Sequence, residues 1–181
     1  LRSKRLWFRG PEPQDAPLLG VWLNDPDTRF FLQERAQGLT LAAEEKWIMG
    51  ADHVQAAPGE IRLVCGELGQ KTPIASTALM GINWIVRSAA WGIVVGDKQK
   101  RGQGFGAEIA KRMLRFAFDE LQLNRVELKV HADNPRAIAC YEKVGFVREG
   151  TLRQAVFHDG LSVDEHVMAM LRQEWRLLAD S

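Results

Sequence analysis

Cysteine is scarce in this chain: only Cys65 and Cys140 occur in 181 residues. Neither has the short spacing of a zinc or redox motif, so they read as buried free thiols in a reducing cytosol. An excess of one charge is also lacking. Twenty-four Lys and Arg stand against 23 Asp and Glu, and the formal charge of +1 gives no whole-molecule field that would gather nucleic acid or an anionic membrane. Any cationic site must be local. No apolar run approaches the ~20 residues needed to span a bilayer, and Leu1–Arg9 mixes charged and aromatic residues unlike a signal peptide. The expectation is a cytoplasmic protein with no membrane partner. Tyrosine occurs once, at Tyr141. Internal repeats and low-complexity segments are absent.

What is present is ordinary globular chemistry, 46% hydrophobic and 26% charged, in a length that suits one domain over residues 1–181. A short strand at Leu6–Phe8 precedes a turn at Gly10–Pro13 and a helix from about Asp15 to Asn24, stopped by Pro26. Asp25–Gly38 has weaker periodicity and reads as loop or broken helix. Ala42–Met49 puts Ala43 and Trp47 on one helical face, with Gly50 as a natural stop. The texture then turns to β, with strands at Ile61–Glu67, Ile74–Val86 and Ala89–Val95. A long helix starts near Gly104, and its apolar stripe is Ile109, Met113, Phe116, Ala117 and Leu121. Strand Val126–Val130 alternates cleanly, and Pro135–Val144 is a helix with Asn134 as N-cap and Gly145 as stop. Gln154–Phe157 and Ser162–Met170 flank His158–Asp159–Gly160 as a hairpin. That order makes a mixed α/β domain rather than a doubly wound sheet.

The sharpest local feature joins a hydrophobic strand to the long helix: Gly96-Asp97-Lys98-Gln99-Lys100-Arg101-Gly102-Gln103-Gly104-Phe105-Gly106. Glycines let several backbone N–H groups approach an anion, and the helix N-terminus adds partial positive charge. Lys98, Lys100 and Arg101 would add charge suited to the phosphates of a nucleotide. A flexible basic surface loop is the plainer reading. A dinucleotide fold is the rival, because Gly102, Gly104 and Ala107 satisfy a loose G-x-G-x-x-A pattern. Against that rival, a polar stretch separates the strand from the first glycine, and too little chain follows for a second nucleotide-binding half.

Read as Arg101-x-x-Gly104-x-Gly106, the loop resembles the acyl-CoA signature of the GNAT superfamily of N-acetyltransferases. Downstream, Asn134-Pro-Arg-Ala-Ile-Ala-Cys-Tyr141-Glu-Lys143-Val-Gly145-Phe146 is similar to the N-x-x-[AS]-x-x-x-Y-x-K-x-G-F segment of the same superfamily. Trp22-Leu23-Asn24-Asp25-Pro26 and Glu149-Gly150-Thr-Leu-Arg153-Gln154 resemble its RimJ/RimL-like branch, named for acetylation of ribosomal-protein N-termini. The resemblance implies a single α/β domain on a central mixed, mostly antiparallel sheet with helices on both faces. Its strands Ala89–Val95 and Val126–Val130 would splay apart to admit the cofactor.

The implied reaction moves acetyl from acetyl-CoA to a primary amine, without a metal. Backbone groups of Ile93, Val94 and Val95 would pair with the pantetheine arm. Lys100, Arg101, Gly102, Gln103, Gly104, Phe105 and Gly106 would hold the pyrophosphate, and Asn134, Ala137 and Lys143 complete the cofactor-binding set. Asn134 is equally an N-cap. Tyr141 is the general-acid candidate, a phenol of pKa ~10 facing a thiolate leaving group whose thiol has a pKa of roughly 8.5; packing in the core is the other reading of a helical tyrosine.

The base is less well marked. Many relatives carry a glutamate in the fourth strand just before its glycine, where this chain reads Ala89-Ala90-Trp91-Gly92. Glu34, Glu127 and Glu165 are substitutes, with His158 and His166 also open, and a water-relayed deprotonation with no single indispensable carboxylate is the working expectation. Trp84, Trp91, Trp22 and Trp47 read as core residues, with an aromatic-walled pocket as the alternative. The acceptor stays open between a protein N-terminal α-amine and a small molecule such as a polyamine or aminoglycoside. The readings without catalysis are an acyl-CoA-binding module and the dinucleotide fold. Relatives often form homodimers.

Overall fold

The computed structural model describes residues 1–31, 40, 42, 59–158 and 160–179. Glu34, the Ala43 and Trp47 face of the expected Ala42–Met49 helix, Asp159 and the side chain of His158 lie outside these residues. The chain opens with β1 (Leu6–Arg9), a single 3-10 turn over Pro13–Asp15, α1 (Ala16–Asn24) and α2 (Pro26–Arg29). Then come β2 (Ile61–Glu67), β3 (Ala75–Asn83), β4 (Ser88–Val95), α3 (Phe105–Arg115), β5 (Arg125–His131) and α4 (Pro135–Val144). A long hairpin, β6 (Val147–His158) and β7 (Leu161–Leu171), and a terminal α5 (Arg172–Ala179) complete the order.

The seven strands among the described residues form one sheet in the order β1-β2-β3-β4-β5-β7-β6. Every neighbouring pair is antiparallel except β4–β5. One parallel pair in a mostly antiparallel sheet removes the dinucleotide-fold reading, which needs parallel strands throughout each half. No helix among the described residues is long and apolar enough to cross a membrane.

The period-2 alternation of the strands sorts side chains onto two faces. One face carries Leu79, Ala89, Trp91, Val126, Leu128, Val130, Met168 and Met170, and packs on Ile109, Met113 and Ala117 from the α3 segment in the main core. On the opposite face, α1 sets Ala16, Leu19 and Trp22 against Val64. Helices therefore cover both faces, as expected.

Several boundaries differ for identifiable reasons. Pro26 does not simply stop α1: Asp25 accepts from the Thr28 backbone N–H at 3.1 Å and its hydroxyl at 2.9 Å, so Pro26 opens a one-turn helix as its N1 residue. The strand expected to run to Val86 ends at Asn83, whose side-chain oxygen accepts from the N–H groups of Ile85 (3.0 Å) and Val86 (3.1 Å) and turns the chain. The long helix widens to a π turn over Phe116–Glu120, closed by Leu121 N–H to the Phe116 carbonyl at 2.9 Å. The hairpin strands are longer than expected, and β6 carries register shifts between Arg148 and Gly150 and between Leu152 and Val156. Helix α5 escaped the sequence reading. Its signal is Glu174, which caps the Leu171 N–H at 2.8 Å, followed by Trp175 packed toward Phe118.

Candidate active site

The site is built where the sheet comes apart. Strands β4 and β5 pair only at Ser88–Arg125, Ala89–Val126 and Ala90–Glu127. Beyond Ala90, β4 continues to pair with β3 as far as Val95, while β5 continues with β7 as far as His131. Trp91–Val95 and Leu128–His131 thus border a wedge-shaped gap, and Ile93, Val94 and Val95 keep one backbone edge toward it. An amide-bearing ligand could add to that edge as a strand does.

At the wide end, the loop from Gly96 to Gly104 leads into α3. Asp97 accepts from Gln99 N–H at 2.9 Å and shapes a 3-10 turn over Lys98–Lys100. Gly102 and Gly104 both have φ of +79°, a conformation that costs glycine least. The first intrahelical bond is Glu108 N–H to the Gly104 carbonyl at 3.1 Å. The backbone N–H groups from Gly102 to Gly106 donate to no protein acceptor among the described residues, and such a cradle suits a pyrophosphate.

The charged side chains of the loop are placed differently from the sequence expectation. Lys98 pairs with Asp25 at 2.7 Å and Asp27 at 2.8 Å, and Lys100 pairs with Glu67 at 2.5 Å. Hydrogen bonding to Lys98 holds the Asp25 carboxyl below its usual range. Arg101 donates to the Val95 carbonyl and to the Thr28 hydroxyl, both at 2.9 Å, so its side chain braces the loop against β4 and α2. Two other arginines approach the glycines. A Cβ at Gly102 would lie 3.2 Å from Arg136 Nη2, and one at Gly104 would lie 3.7 Å from Arg5 Nη2. Arg5 is anchored by Glu108 at 2.6 Å and sits 4.1 Å over the Phe105 ring. Sequence reasoning missed both, although Arg136 stands inside the quoted Asn134–Phe146 segment.

Helix α4 begins beside this loop. Asn134 caps it through its side-chain oxygen, which accepts from Ala137 N–H at 3.1 Å, leaving the amide NH2 available. Ala137, Ile138 and Tyr141 follow at helical spacing on the core-facing side. Lys143 is on the exposed side of the last turn, where it complements the helix dipole. The Tyr141 ring meets Trp91 edge-on with centroids 5.7 Å apart, and Trp91 in turn stacks on Phe146 at 5.8 Å. Trp91 is fixed by its indole N–H to the Thr77 hydroxyl, which donates onward to the Gly92 carbonyl, each at 2.8 Å. Burial pushes the Tyr141 phenol up to about 12, so it is protonated throughout the neutral range.

On the other face of the sheet, the gap opens into a cavity of about 500 Å3, within the range of small-ligand pockets. Leu19, Leu23 and Phe31 form an apolar wall, and the polar lining includes Glu60, Arg62, Glu127, Lys129, His131 and Glu165. Glu60 is paired with Arg62. Glu127 stands opposite Ala90 in the last β4–β5 pair and accepts from Arg125 at 2.9 Å; Arg125 also holds Glu149 at 2.7 Å. Glu165 lies in β7 opposite His131. His166 is bound to Thr151 at 2.9 Å and falls on the opposite face from Glu165. Trp91 borders the cavity and belongs to the core, Trp22 is core, and Trp84 is 57% exposed at the β3–β4 turn.

These features coincide with a known family. Residues 5–147 match the acetyltransferase (GNAT) domain model. The chain is 35% identical over 109 residues to spermidine N(1)-acetyltransferase of Vibrio cholerae, covering 60% of this chain and 62% of that protein. It is 29% identical over 98 residues to the putative ribosomal N-acetyltransferase YdaF of Bacillus subtilis, covering 54% and 53%. The chain thus aligns with less than two thirds of the length of each of these curated relatives. The crystal structure of the Vibrio cholerae spermidine enzyme in complex with CoA and spermine superposes with a TM-score of 0.86 at 29% identity, over 94% of this chain and 98% of that one. The same enzyme has been solved as a dodecamer. With the family model matching most of its length, the chain belongs to the GNAT acetyltransferase family.

Proposed function

We propose that the protein transfers acetyl from acetyl-CoA to a small, cationic primary amine. The observation that carries this reading is the gap between β4 and β5 opening into a cavity that bears three carboxylates, Glu60, Glu127 and Glu165. Similarity to the spermidine enzyme supports the same acceptor class. Backbone N–H groups of Gly102–Gly106, with Arg136 above them, would hold the pyrophosphate; Lys100 and Arg101 would brace that loop. Asn134 offers its amide NH2 to the cofactor beside Ala137, and the backbone of Ile93–Val95 takes the pantetheine arm.

In the reaction, the amine nitrogen attacks the thioester carbonyl carbon and the C–S bond breaks. Tyr141 gives its proton to the departing sulfur. The surplus proton on nitrogen leaves through water to Glu127, which stands opposite Ala90 and offers from β5 the carboxylate that β4 lacks. The apolar surroundings that raise the phenol also raise a thiol formed beside it, which keeps donor and acceptor matched.

The second reading is a protein N-terminal α-amine, the acceptor of the RimJ/RimL-like branch, and similarity to the ribosomal N-acetyltransferase favours it. Such an amine, with pKa ~8, is about one-tenth neutral at pH 7, whereas an alkylamine near 10.4 is neutral in less than one molecule per thousand and needs the base more. A homo-oligomer is part of the proposal, supported by the dodecameric relative. A cytoplasmic site of action is supported by two free cysteines, Cys65 buried and Cys140 half-buried. Thiol release from acetyl-CoA, measured over diamines, aminoglycosides and N-terminal peptides, tests the acceptor; turnover confined to peptides would select the second reading.

A further inference from the structure

Glu165 is only 2% exposed, yet it borders the cavity. Its Oε2 has the ammonium of Lys129 at 3.5 Å, the outer limit of useful contact, and that lysine side chain is 53% exposed. Its Oε1 is buried without any hydrogen-bond donor among the described residues. A desolvated carboxylate oxygen without a donor is costly, whereas an exposed lysine is screened by water and compensates little. The position therefore favours a cation delivered from the cavity. Lys129 and His131 are the nearby groups on the same face, and neither gives Oε1 a hydrogen bond.

The distance from the chemistry fixes what that cation is. Tyr141 packs on Trp91, one residue past the Ala90–Glu127 pair, which puts the reacting centre near the apex of the gap. Glu165 is opposite His131, four residues along β5 from Glu127, or about 13 Å at the usual strand rise. That is too far for the amine under attack and suits a second nitrogen on a long acceptor. Resting on the small-amine reading above, we propose that Glu165 binds the remote ammonium of a long diamine or a polyamine and so selects acceptors by chain length. An ammonium has three donors and no acceptor, which matches an oxygen that lacks a donor.

The test pairs turnover with binding. Wild type, Glu165→Gln and Glu165→Asp are compared with diaminoheptane, diaminopropane and heptylamine, after thermal melting has confirmed that each variant is folded. Glu165→Gln should raise KM for diaminoheptane roughly ten- to hundredfold, with kcat and the heptylamine parameters nearly unchanged. Glu165→Asp should keep part of the preference. Calorimetric binding of diaminoheptane to the CoA-loaded protein reads the subsite without chemistry. Binding that Glu165→Gln abolishes, with no turnover in any form, would sink the small-amine reading and leave the subsite standing. Equal diaminoheptane affinity in wild type and Glu165→Gln, or no binding to either, would overturn the subsite.

Discussion

Tyr141 stands edge-on to Trp91, ring centroids 5.7 Å apart, where the pairing of β4 with β5 ends. Because burial raises the phenol to about 12, it should stay protonated across the whole range in which the enzyme can be assayed. For an alkylamine acceptor, kcat/KM should rise with pH toward the amine value, ~10.4, with no descending limb below about pH 10. A falling limb centred near pH 8 would assign the acid to another group.

Trp22 lies directly against Gly96, the residue that follows β4. A Cβ there would come within 1.8 Å of Trp22 Cδ2, and only a shift of the indole or the strand could relieve it. Gly96→Ala should lower stability by about 1–3 kcal/mol and weaken CoA binding, since the loop proposed to hold the pyrophosphate starts at this residue. Melting temperature and CoA titration check both effects. Trp22→Ala in the Gly96→Ala background should restore part of the affinity.

Arg136 is the guanidinium nearest Gly102 and is held by no carboxylate among the described ion pairs. Arg136→Ala should raise the Kd for CoA roughly tenfold, and the loss should shrink at high salt. Equal affinity at low and high salt in wild type and variant would remove Arg136 from the cradle.

Glu108 ties the segment just before β1 to α3 by accepting from the Ser3 hydroxyl and the Arg5 backbone, each at 2.7 Å. Burial alone would raise this carboxyl, but the bonds from Ser3 and Arg5 outweigh it and hold the group below its usual value. A folded value below the unfolded one, ~4.3, stabilises the protein above that pH, and the gain is lost as pH falls through the lower folded value. Glu108→Gln should therefore cost ~1 kcal/mol at pH 7 and approach zero cost in strong acid, as read by urea unfolding at each pH.

Local chemistry explains what was legible in the sequence. Strand β2 and helix α4 could be bounded to the residue, because glycine and charge breaks flank the first while Asn134, Pro135 and Gly145 punctuate the second. The two cofactor motifs pointed to the gap between β4 and β5. What could not be read were pairings between distant segments. Lys98 meets Asp25 and Asp27, Arg101 meets Thr28, and Arg5 reaches Gln103 from 98 positions away. Whether a loop lysine faces phosphate or carboxylate is decided by packing, which periodicity does not encode. Glu127 and Glu165 were two acids among several until the sheet register put both on the cavity face.

Acetyl transfer with Tyr141 as proton donor is tested by Tyr141→Phe. With acetyl-CoA and a diamine, its kcat should fall by roughly 10²–10⁴ while the Kd for CoA is unchanged. Wild-type turnover by Tyr141→Phe under the same conditions would contradict it.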